Sequence, residues 1–141
     1  MNRILMALCI IALGLCSCSQ DEHFGELPRT VSTFITQYWP DPGISSYTHP
    51  SADEYVVAVR NGPVITFNAS YVWTSIDGGG IPLPEQLLFD QLPDPLYRYL
   101  VECEYTGQVF KIDRTPRLYT LQLLNNSLTY DTATEAVRED R

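Results

Sequence analysis

The chain has 141 residues and a net charge of −8, because seventeen Asp and Glu outnumber nine Lys and Arg. A surface this acidic repels phosphate backbones, so nucleic acid is not expected as a partner. The length suits one compact domain or two small halves, and nine Tyr, five Phe and two Trp can supply a packed core.

The N-terminal segment is a short apolar run that follows a positive charge. Arg3 precedes the uninterrupted apolar residues 4–15. A helix that crosses a bilayer needs about 20 apolar residues, so this run is too short for a permanent span. Its length is typical of the hydrophobic region of a secretory signal peptide. We therefore expect the protein to be exported.

The end of this run and the residues that follow it, Leu15-Cys16-Ser17-Cys18, resemble a bacterial lipoprotein signal. Such a signal has Leu three positions before the modified cysteine and a small residue directly before it, and Cys18 meets both conditions. Cys16 does not, because the bulky Leu15 precedes it directly. An ordinary cleaved signal followed by a stray cysteine is the alternative. A metal or redox pair is disfavoured, since no second Cys or His cluster follows in the nearby sequence.

This resemblance implies a signal peptide at 1–17, fatty acyl chains on Cys18 and an acidic tether at 18–26. Several acyl chains hold a protein stably on a membrane, whereas one chain binds only marginally. The expected location is the cell envelope, anchored by lipid to the outer membrane and facing either the periplasm or the exterior.

Two main helices are predicted, and both carry the same apolar spacing. The first helical segment begins at Leu27, where Pro28 suits the first turn and Pro40 ends the helix. The second segment begins sixty-five residues later, at Leu92. On each helix, apolar side chains at i, i+3, i+4 and i+7 form one stripe. The two stripes are Val31, Phe34, Ile35 and Tyr38, and Leu96, Tyr99, Leu100 and Cys103.

Cys103 is the only cysteine after Cys18, so the exported domain has no internal disulfide and depends on its core for stability. Because Cys103 lies on a core-facing stripe, we expect it to be a small buried hydrophobic residue rather than a reactive thiol.

Alternating apolar and polar residues predict β-strands after each helix. Asn61-Gly62 is expected to form a two-residue hairpin turn, with Asn125-Asn126 as its weaker counterpart. The predicted strand regions are 44–49, 54–60, 64–68, 71–76, 109–113, 119–124 and 127–131. Side chains expected to point toward the helices are Tyr55, Val57, Val59, Ile65, Phe67, Tyr119, Leu121, Leu123, Leu128 and Tyr130.

The agreement of helix stripe, strand phase and turn position indicates an internal duplication. The expected division is a first repeat at 27–76, a connector at 77–91 and a second repeat at 92–137. Within the connector, 81–91 is expected to form a short helical turn. The predicted fold class is α+β, with two tandem units that each pack a helical segment on one face of an antiparallel sheet.

The pattern "LP…V…FI…YWP", an alternating strand, Asn-Gly, "ITF" and a Trp-containing strand, repeated after "IPLP", resembles the PepSY-like domain. This family is also described as β-lactamase-inhibitor-like, and the resemblance covers roughly 27–137. It implies the same tandem α+β architecture. Inhibitors in this family bind a β-lactamase through the open sheet face and hairpin loops.

The chain departs from that inhibitor branch in two respects. It lacks the paired cysteines that staple those inhibitors, and its first hairpin carries Asn61-Gly62 in place of an acidic residue that could plug an active site. Inhibition of a β-lactamase is therefore not transferred to this chain, since one fold serves many functions.

The sequence offers no set of residues for catalysis, for metal binding or for a cofactor. His23 and His49 have no partner at metal-ligand spacing. The glycines at 78–80 lack the lysine of a phosphate-binding loop, and no nucleophile elbow occurs. Glu102 and Glu104 are two positions apart at a helix end, so their side chains diverge. We do not expect an enzyme.

The remaining candidate is the sheet face that the helices leave uncovered. A mixed polar and aromatic face suits a protein or peptide better than a deep small-molecule pocket. The residues predicted on this face are Val56, Ala58, Arg60, Val64, Thr66, Tyr71, Trp73, Thr120, Gln122 and Thr129, with core packing as the alternative for Tyr71 and Trp73.

We therefore expect a non-catalytic envelope lipoprotein that binds a protein or peptide, such as a peptidase or other hydrolase, through this open face. The alternatives are a carrier or sensor of small ligands, with an apolar pocket between helix and sheet, and a structural spacer that binds no ligand.

Overall fold

The computed structural model describes residues 27–40 and 43–141 and shows an α+β fold. One eight-stranded antiparallel sheet has the strand order β1 to β8, so each strand pairs with the next in the chain. The described helices are α1 (Arg29–Tyr38), α2 (Glu85–Gln91) and α3 (Asp94–Glu102). The strands are β1 (Ile44–Ser51), β2 (Glu54–Val59), β3 (Val64–Asn68), β4 (Trp73–Asp77), β5 (Lys111–Arg114), β6 (Leu118–Gln122), β7 (Ser127–Asp131) and β8 (Val137–Asp140).

The predictions about the signal peptide, Cys18, the tether and His23 lie outside the described residues. Within the described ranges, no helix is long and apolar enough to span a bilayer.

A proline precedes each helix at its N-cap, where a missing N–H removes no intrahelical hydrogen bond. Pro28, Pro84 and Pro93 occupy these positions in α1, α2 and α3. α1 ends at Tyr38, followed by Trp39 at the C-cap and then Pro40, as the sequence predicted. The short helical turn expected at 81–91 is observed as helix α2, over Glu85–Gln91.

The hydrophobic core lies between the three helices and one face of the sheet. The helices contribute Val31, Ile35, Tyr38, Leu87, Leu88, Leu96 and Leu100. The strands contribute Ile44, Val57, Val59, Ile65, Phe67, Trp73, Ile76, Ile112, Leu121, Leu128 and Tyr130. The pairing register places these strand residues on the same face of the sheet, so they form one set of alternate positions, called the helix-facing alternation set. Each fully buried large apolar side chain stabilises the fold by about 1.5–3 kcal/mol.

The predicted inward set is therefore largely confirmed. Tyr55 and Tyr119 are half-buried and pack against the core, and the other eight predicted inward residues are buried. The apolar stripes are confirmed except at Cys103, with Phe34 and Tyr99 half-buried at their edges.

The two sets of strands form a single sheet rather than one sheet per unit. β4 pairs with β5 through Ser75↔Asp113, Ile76↔Ile112 and Asp77↔Lys111. This pairing leaves β1 and β8 as the only edges of the sheet among the described residues. Joining the halves satisfies backbone groups that two separate sheets would expose on two further edges.

The strand β8 was not predicted, because its Val-Arg-Glu-Asp sequence carries only one apolar residue. It pairs with β7 through Tyr130↔Val137 and Leu128↔Glu139. The folded second half therefore extends beyond residue 137, where the sequence placed its end.

The first hairpin turn is one residue longer than predicted. The Val59 N–H donates to Pro63 O over 2.9 Å, so Arg60, Asn61 and Gly62 form the loop. A two-residue Asn61-Gly62 turn needs an N–H at Pro63, and proline has none. Asn61 adopts a φ of 54°, a left-handed conformation that asparagine tolerates.

In the second half, the Leu123 N–H donates to Asn126 O over 2.8 Å. That loop therefore consists of Leu124 and Asn125, one position before the predicted Asn125-Asn126 pair.

Cys103 is half-buried rather than buried, because α3 ends one residue before it. It occupies the C-cap, and its backbone N–H donates to Tyr99 O over 3.0 Å. The stripe thus stays buried only as far as Leu100.

Candidate functional site

The uncovered face of the sheet carries the other alternation set of every strand. No residue of this set on β2 to β8 is buried, whereas the opposite set supplies the core. By register this open face consists of Ser46, Thr48, Glu54, Val56, Ala58, Val64, Thr66, Asn68, Ser75, Asp77, Lys111, Asp113, Leu118, Thr120, Gln122, Ser127, Thr129, Asp131, Arg138 and Asp140.

The structure brings most of the predicted face residues onto this surface. Direct cross-strand pairs join Val56 to Thr66, Ala58 to Val64 and Thr120 to Thr129. Gln122 pairs with Ser127 and is exposed. Arg60 lies in the hairpin loop rather than on the face, and its N–H donates to Gly43 O over 2.6 Å.

Trp73 and Tyr71 are not part of the open face. Thr66 pairs with Ser75 but Phe67 pairs with Trp73, so Thr74 is an extra residue that forms a β-bulge. The bulge turns Trp73 toward the helices, where it is 2% exposed. Tyr71 precedes β4 in a turn with a φ of 60° and packs against the core. Core packing, the alternative for these two residues, is therefore correct.

The open face differs in character from one half to the other. Val56, Ala58 and Val64 form an apolar region on β2 and β3, and Val64 is 43% exposed. The second half carries charge instead: Lys111 lies 3.6 Å from Asp113, and Arg138 lies 3.3 Å from Asp140. Both pairs are solvent-exposed, so each contributes at most about 1 kcal/mol.

A cleft of about 260 Å³ opens at one end of the sheet, where β4 begins and β5 ends. Arg114 lies in it with its Cζ 3.7 Å from the centroid of the Trp73 ring. Its Nε donates to Trp73 O over 2.7 Å. The cleft is lined by Asn68, Val72, Trp73, Thr74, Arg114, Thr115, Pro116, Tyr119 and Thr132.

A chain of hydrogen bonds fixes the tryptophan of this cleft. Trp73 Nε1 donates to Gln91 Oε1 over 3.0 Å, and Gln91 Nε2 donates to Tyr38 Oη over 2.9 Å. Tyr38 Oη in turn donates to Asp90 Oδ2 over 3.0 Å. Burial above all, together with Asp90, raises the pKa of Tyr38, so its hydroxyl stays protonated and can donate. These bonds tie α1 and α2 to β4.

A second polar cluster surrounds Glu139 on β8, which is an edge strand of the sheet. Tyr105 Oη donates to Glu139 Oε1 over 2.9 Å and Tyr99 Oη donates to Glu139 Oε2 over 3.1 Å. Asn126 Nδ2 also donates to this carboxylate. The hydrogen bond from Tyr105 makes the largest contribution to lowering the pKa of Glu139 below its usual value.

Of the groups that donate to Glu139, Tyr99 has the most strongly shifted pKa. Burial, followed by the neighbouring Cys103 and Glu139 side chains, raises the pKa of Tyr99 to about 12. The hydroxyl is therefore neutral at physiological pH and holds the carboxylate by donating to it.

The histidine and the two glutamates considered in the sequence have ordinary structural positions. His49 lies in β1, stacks on Tyr55 with a centroid distance of 4.1 Å, and has Nδ1 2.8 Å from Glu54 O. Glu102 ends α3 and Glu104 follows it with a φ of 59°. In the described part of the chain, no three His, Cys, Asp or Glu side chains are grouped to hold a metal ion.

Sequence reasoning missed both polar clusters. The signal for the cleft was present in β5, where Arg114 follows Ile112 at strand spacing and so shares its helix-facing side. The signal for the second cluster was a polar Glu139 two residues after Val137, again at strand spacing.

Comparison with known proteins supports the fold. No protein-family model matches the chain, and no curated protein matches it. A solved Bacteroides vulgatus protein, described as a candidate periplasmic protein of the DUF2874 family, has a TM-score of 0.67 and 24% identity, over 84% of this chain and 93% of that chain.

Two other solved structures are similar to the same extent. A Bacteroides thetaiotaomicron protein described as a candidate calcium-regulated periplasmic protein has a TM-score of 0.67 and 21% identity, over 84% of this chain and 93% of that one. A second Bacteroides vulgatus protein, described as a candidate periplasmic protein of unknown function, has a TM-score of 0.66 and 20% identity, over 83% and 94%. At these identities the likeness shows a shared fold.

Proposed function

We propose that this chain is a non-catalytic lipoprotein of the cell envelope that binds a protein or peptide through the open face of its sheet. The observation that carries the proposal is the asymmetry of the sheet. All three described helices pack on one face, and the other presents half-buried and exposed side chains across eight strands.

The surface of the open face suits a broad, shallow contact. Its central strands carry small hydroxyl side chains, among them Thr66, Ser75, Thr120 and Thr129. Because Trp73 lies in the core, the face lacks the aromatic anchors that dominate many binding hot spots. A partner would therefore contact the apolar region formed by Val56, Ala58 and Val64. Hydrogen bonds and charged side chains on the second half would orient that partner.

The N-terminal sequence and the similar solved structures support the envelope location in this proposal. The apolar run at 4–15 and the Leu15–Cys18 pattern favour export and lipid attachment at Cys18. The three similar solved structures are each described as candidate periplasmic proteins. Cys18→Ala should release an unprocessed or soluble product, while Cys16→Ala should leave membrane attachment unchanged.

We also propose that the two halves descend from one duplicated PepSY-like unit. The paired positions support this origin: Tyr55↔Phe67 and Val57↔Ile65 in the first half match Tyr119↔Tyr130 and Leu121↔Leu128 in the second. In each half a helical segment precedes four consecutive antiparallel strands.

The docking proposal is tested by a pull-down from the membrane fraction. A Thr66→Arg/Gln122→Arg double variant places two long cations on the open face. The matched control, Thr33→Arg/Gln86→Arg, makes the same chemical changes at exposed positions on α1 and α2. The proposal expects partners to be lost only with the sheet-face variant, and identical partner sets from both variants and the wild type would refute it.

The alternative, a carrier of small ligands, is less well supported by the cavities. The space between helices and sheet is filled by the core, and an apolar cleft near Trp39, Pro63 and Leu83 measures about 220 Å³. Pockets for drug-sized ligands are about 300–1,000 Å³. A thermal-shift screen against envelope metabolites, glycans and amphiphiles distinguishes the two functions, because ligand binding to the native state raises Tm.

A further inference from the structure

The cleft where β4 begins and β5 ends contains an arginine that is held in place and, among the described residues, has no carboxylate partner. Arg114 is half-buried, and its guanidinium is fixed by the Trp73 ring and by the Nε hydrogen bond to Trp73 O. Its terminal nitrogens, Nη1 and Nη2, make no hydrogen bond to any residue in 27–40 or 43–141. The cation is therefore oriented in advance, with its two-nitrogen end unused.

This arrangement is unusual within the molecule. Five of the eight positively charged side chains in the described ranges have a carboxylate within 4.0 Å: Arg98, Lys111, Arg117, Arg138 and Arg141. Of the other three, Arg29 and Arg60 are exposed to solvent and only Arg114 is half-buried. Arg114 is thus the one half-buried cation in the described ranges with no carboxylate within 4.0 Å.

The lining of the cleft also excludes a competing negative charge. None of its lining residues is acidic, and hydroxyl groups come from Thr74, Thr115, Thr132 and Tyr119. The nearby Asp131 is engaged by Arg117 Nη2 at 3.2 Å and by the Ala133 N–H at 2.8 Å. The Ala133 N–H makes the largest contribution to lowering the pKa of Asp131, followed by Arg117.

We propose that this cleft binds a carboxylate group, which the Nη1 and Nη2 atoms of Arg114 grip in a two-point hydrogen bond. A guanidinium carries one charge and a planar fork of donors, which matches one carboxylate in both charge and shape. The volume of about 260 Å³ accommodates that group and a few attached atoms, with the threonine hydroxyls available to its oxygens. The carboxylate can come from a small organic acid or from the C-terminus of a peptide.

The groups proposed to hold the carboxylate are not part of the docking face, and among the lining residues of the cleft only Asn68 belongs to both. Trp73, Arg114 and Tyr119 belong to the helix-facing alternation set, through the pairs Phe67↔Trp73 and Arg114↔Tyr119. A substitution at Arg114 therefore leaves the open face unaltered, and either proposal can fail without the other.

The test is a titration of the full chain, purified in detergent, followed by NMR of the two tryptophan indole N–H signals. Trp73 reports on the cleft, and Trp39, which lines a different cleft, is an internal control. The probes are acetate, trialanine with a free C-terminus, trialanine amide and inorganic phosphate. We expect saturable shifts of the Trp73 signal with acetate and free trialanine, and at least about tenfold weaker binding of the amide.

The comparison of acetate with free trialanine identifies the source of the carboxylate. Equal affinities indicate a small organic acid, whereas tighter binding of the peptide indicates a peptide C-terminus. The proposal is overturned if the amide binds as well as the acid, if phosphate binds more tightly than acetate, or if the Trp73 signal does not saturate.

Variants supply a second, independent check. Arg114→Gln should weaken acetate binding by about tenfold or more, and Arg114→Lys should weaken it less because the charge remains but the fork is lost. The matched control, Arg29→Gln, removes an exposed arginine on α1 and should leave the affinity unchanged. Unchanged affinity in a folded Arg114→Gln variant would contradict the assignment, and the acid–amide comparison on the wild type needs no variant.

Discussion

The fourth strand of each half occupies a comparable place in the sheet but carries different chemistry. In the first half, Ile76 of β4 pairs with Ile65 and is fully buried. In the second half, Glu139 of β8 pairs with Leu128, and its side chain is 20% exposed. Both residues follow the helix-facing alternation, so one half buries an isoleucine where the other half holds a carboxylate.

The difference follows from what lies beside each strand. β4 is covered on its far side by β5, so water does not reach Ile76. β8 is an edge strand, and three donors from Tyr99, Tyr105 and Asn126 satisfy the Glu139 carboxylate. An inward-pointing charge on an edge strand also discourages pairing with a second sheet. The two fourth strands thus differ because only β8 is an edge of the sheet.

The largest effect is expected when a carboxylate replaces the buried isoleucine of β4. Ile76→Glu places a carboxylate in the core with no donor provided, so it should lower the free energy of unfolding by about 4 kcal/mol or abolish folding. The comparison is with Ile76→Val, which should cost only about 1 kcal/mol. Urea denaturation followed by tryptophan fluorescence measures both, and equal losses would show that Ile76 is not in a dry core.

A smaller effect is expected on the helix that faces Glu139. Phe34 of α1 and Tyr99 of α3 occupy the same stripe position, but only Tyr99 donates a hydrogen bond, to Glu139. Tyr99→Phe should lower the free energy of unfolding by about 1 kcal/mol at neutral pH. Phe34→Leu serves as the packing control on α1.

The same residue predicts a distinct alkaline response. The pKa of Tyr99 is raised in the folded state to about 12, so its stabilising contribution is complete below its usual pKa of 10.0 and is lost as the pH rises toward 12. Tyr99→Phe should remove this part of the alkaline loss. A stability–pH curve above pH 9 that is identical for wild type and variant would contradict the assignment.

At acid pH the prediction concerns Glu139. Its pKa is lowered in the folded state, so its contribution is present above the usual value of 4.5 and disappears as the pH falls through the folded value. The Tm advantage of the wild type over Glu139→Gln should therefore be larger at pH 7 than at pH 3. An advantage that stays constant over this range would show that the charge on Glu139 does not matter.

The smallest effect is expected from a substitution at Cys103, directly after the end of α3. Tyr38 and Cys103 share the last stripe position, but Tyr38 is buried and hydrogen-bonded whereas Cys103 is half-buried. Cys103→Ala should change the free energy of unfolding by less than about 1 kcal/mol, while Tyr38→Ala should cost about 3 kcal/mol or more. Thermal denaturation of both variants checks this, and a large loss at Cys103 would mean that α3 is buried beyond Leu100.

Alternation along the strands predicted the facing of most sheet residues, because a strand has a fixed side-chain period of two. This prediction was wrong where the period of two is interrupted. The bulge at Thr74 reversed the facing of Trp73, and the missing N–H of Pro63 lengthened the first hairpin. β8 was missed because an edge strand with a Glu-Asp end has too few apolar residues to show a pattern.

The sequence placed Arg114 and Glu139 at helix-facing strand positions but did not show which side chains they would meet. Arg114 and Trp73 are 41 residues apart, and Tyr99 and Glu139 are 40 apart. The pairing of β4 with β5 brings Arg114 to Trp73, whereas Tyr99 reaches Glu139 because α3 packs on the sheet beside β8. Local periodicity contains no information on which strands become neighbours.

The most direct test of the account compares the two faces of the sheet side by side. A photo-cross-linking amino acid at Gln122, on the open face, and at Thr36, exposed on α1, samples both sides of the same molecule in intact cells. The account predicts a discrete cross-linked protein or peptide from Gln122 that Thr66→Arg abolishes, and none that depends on Thr66 from Thr36. Cross-linking from Thr36 alone, or from Gln122 regardless of Thr66→Arg, would contradict it.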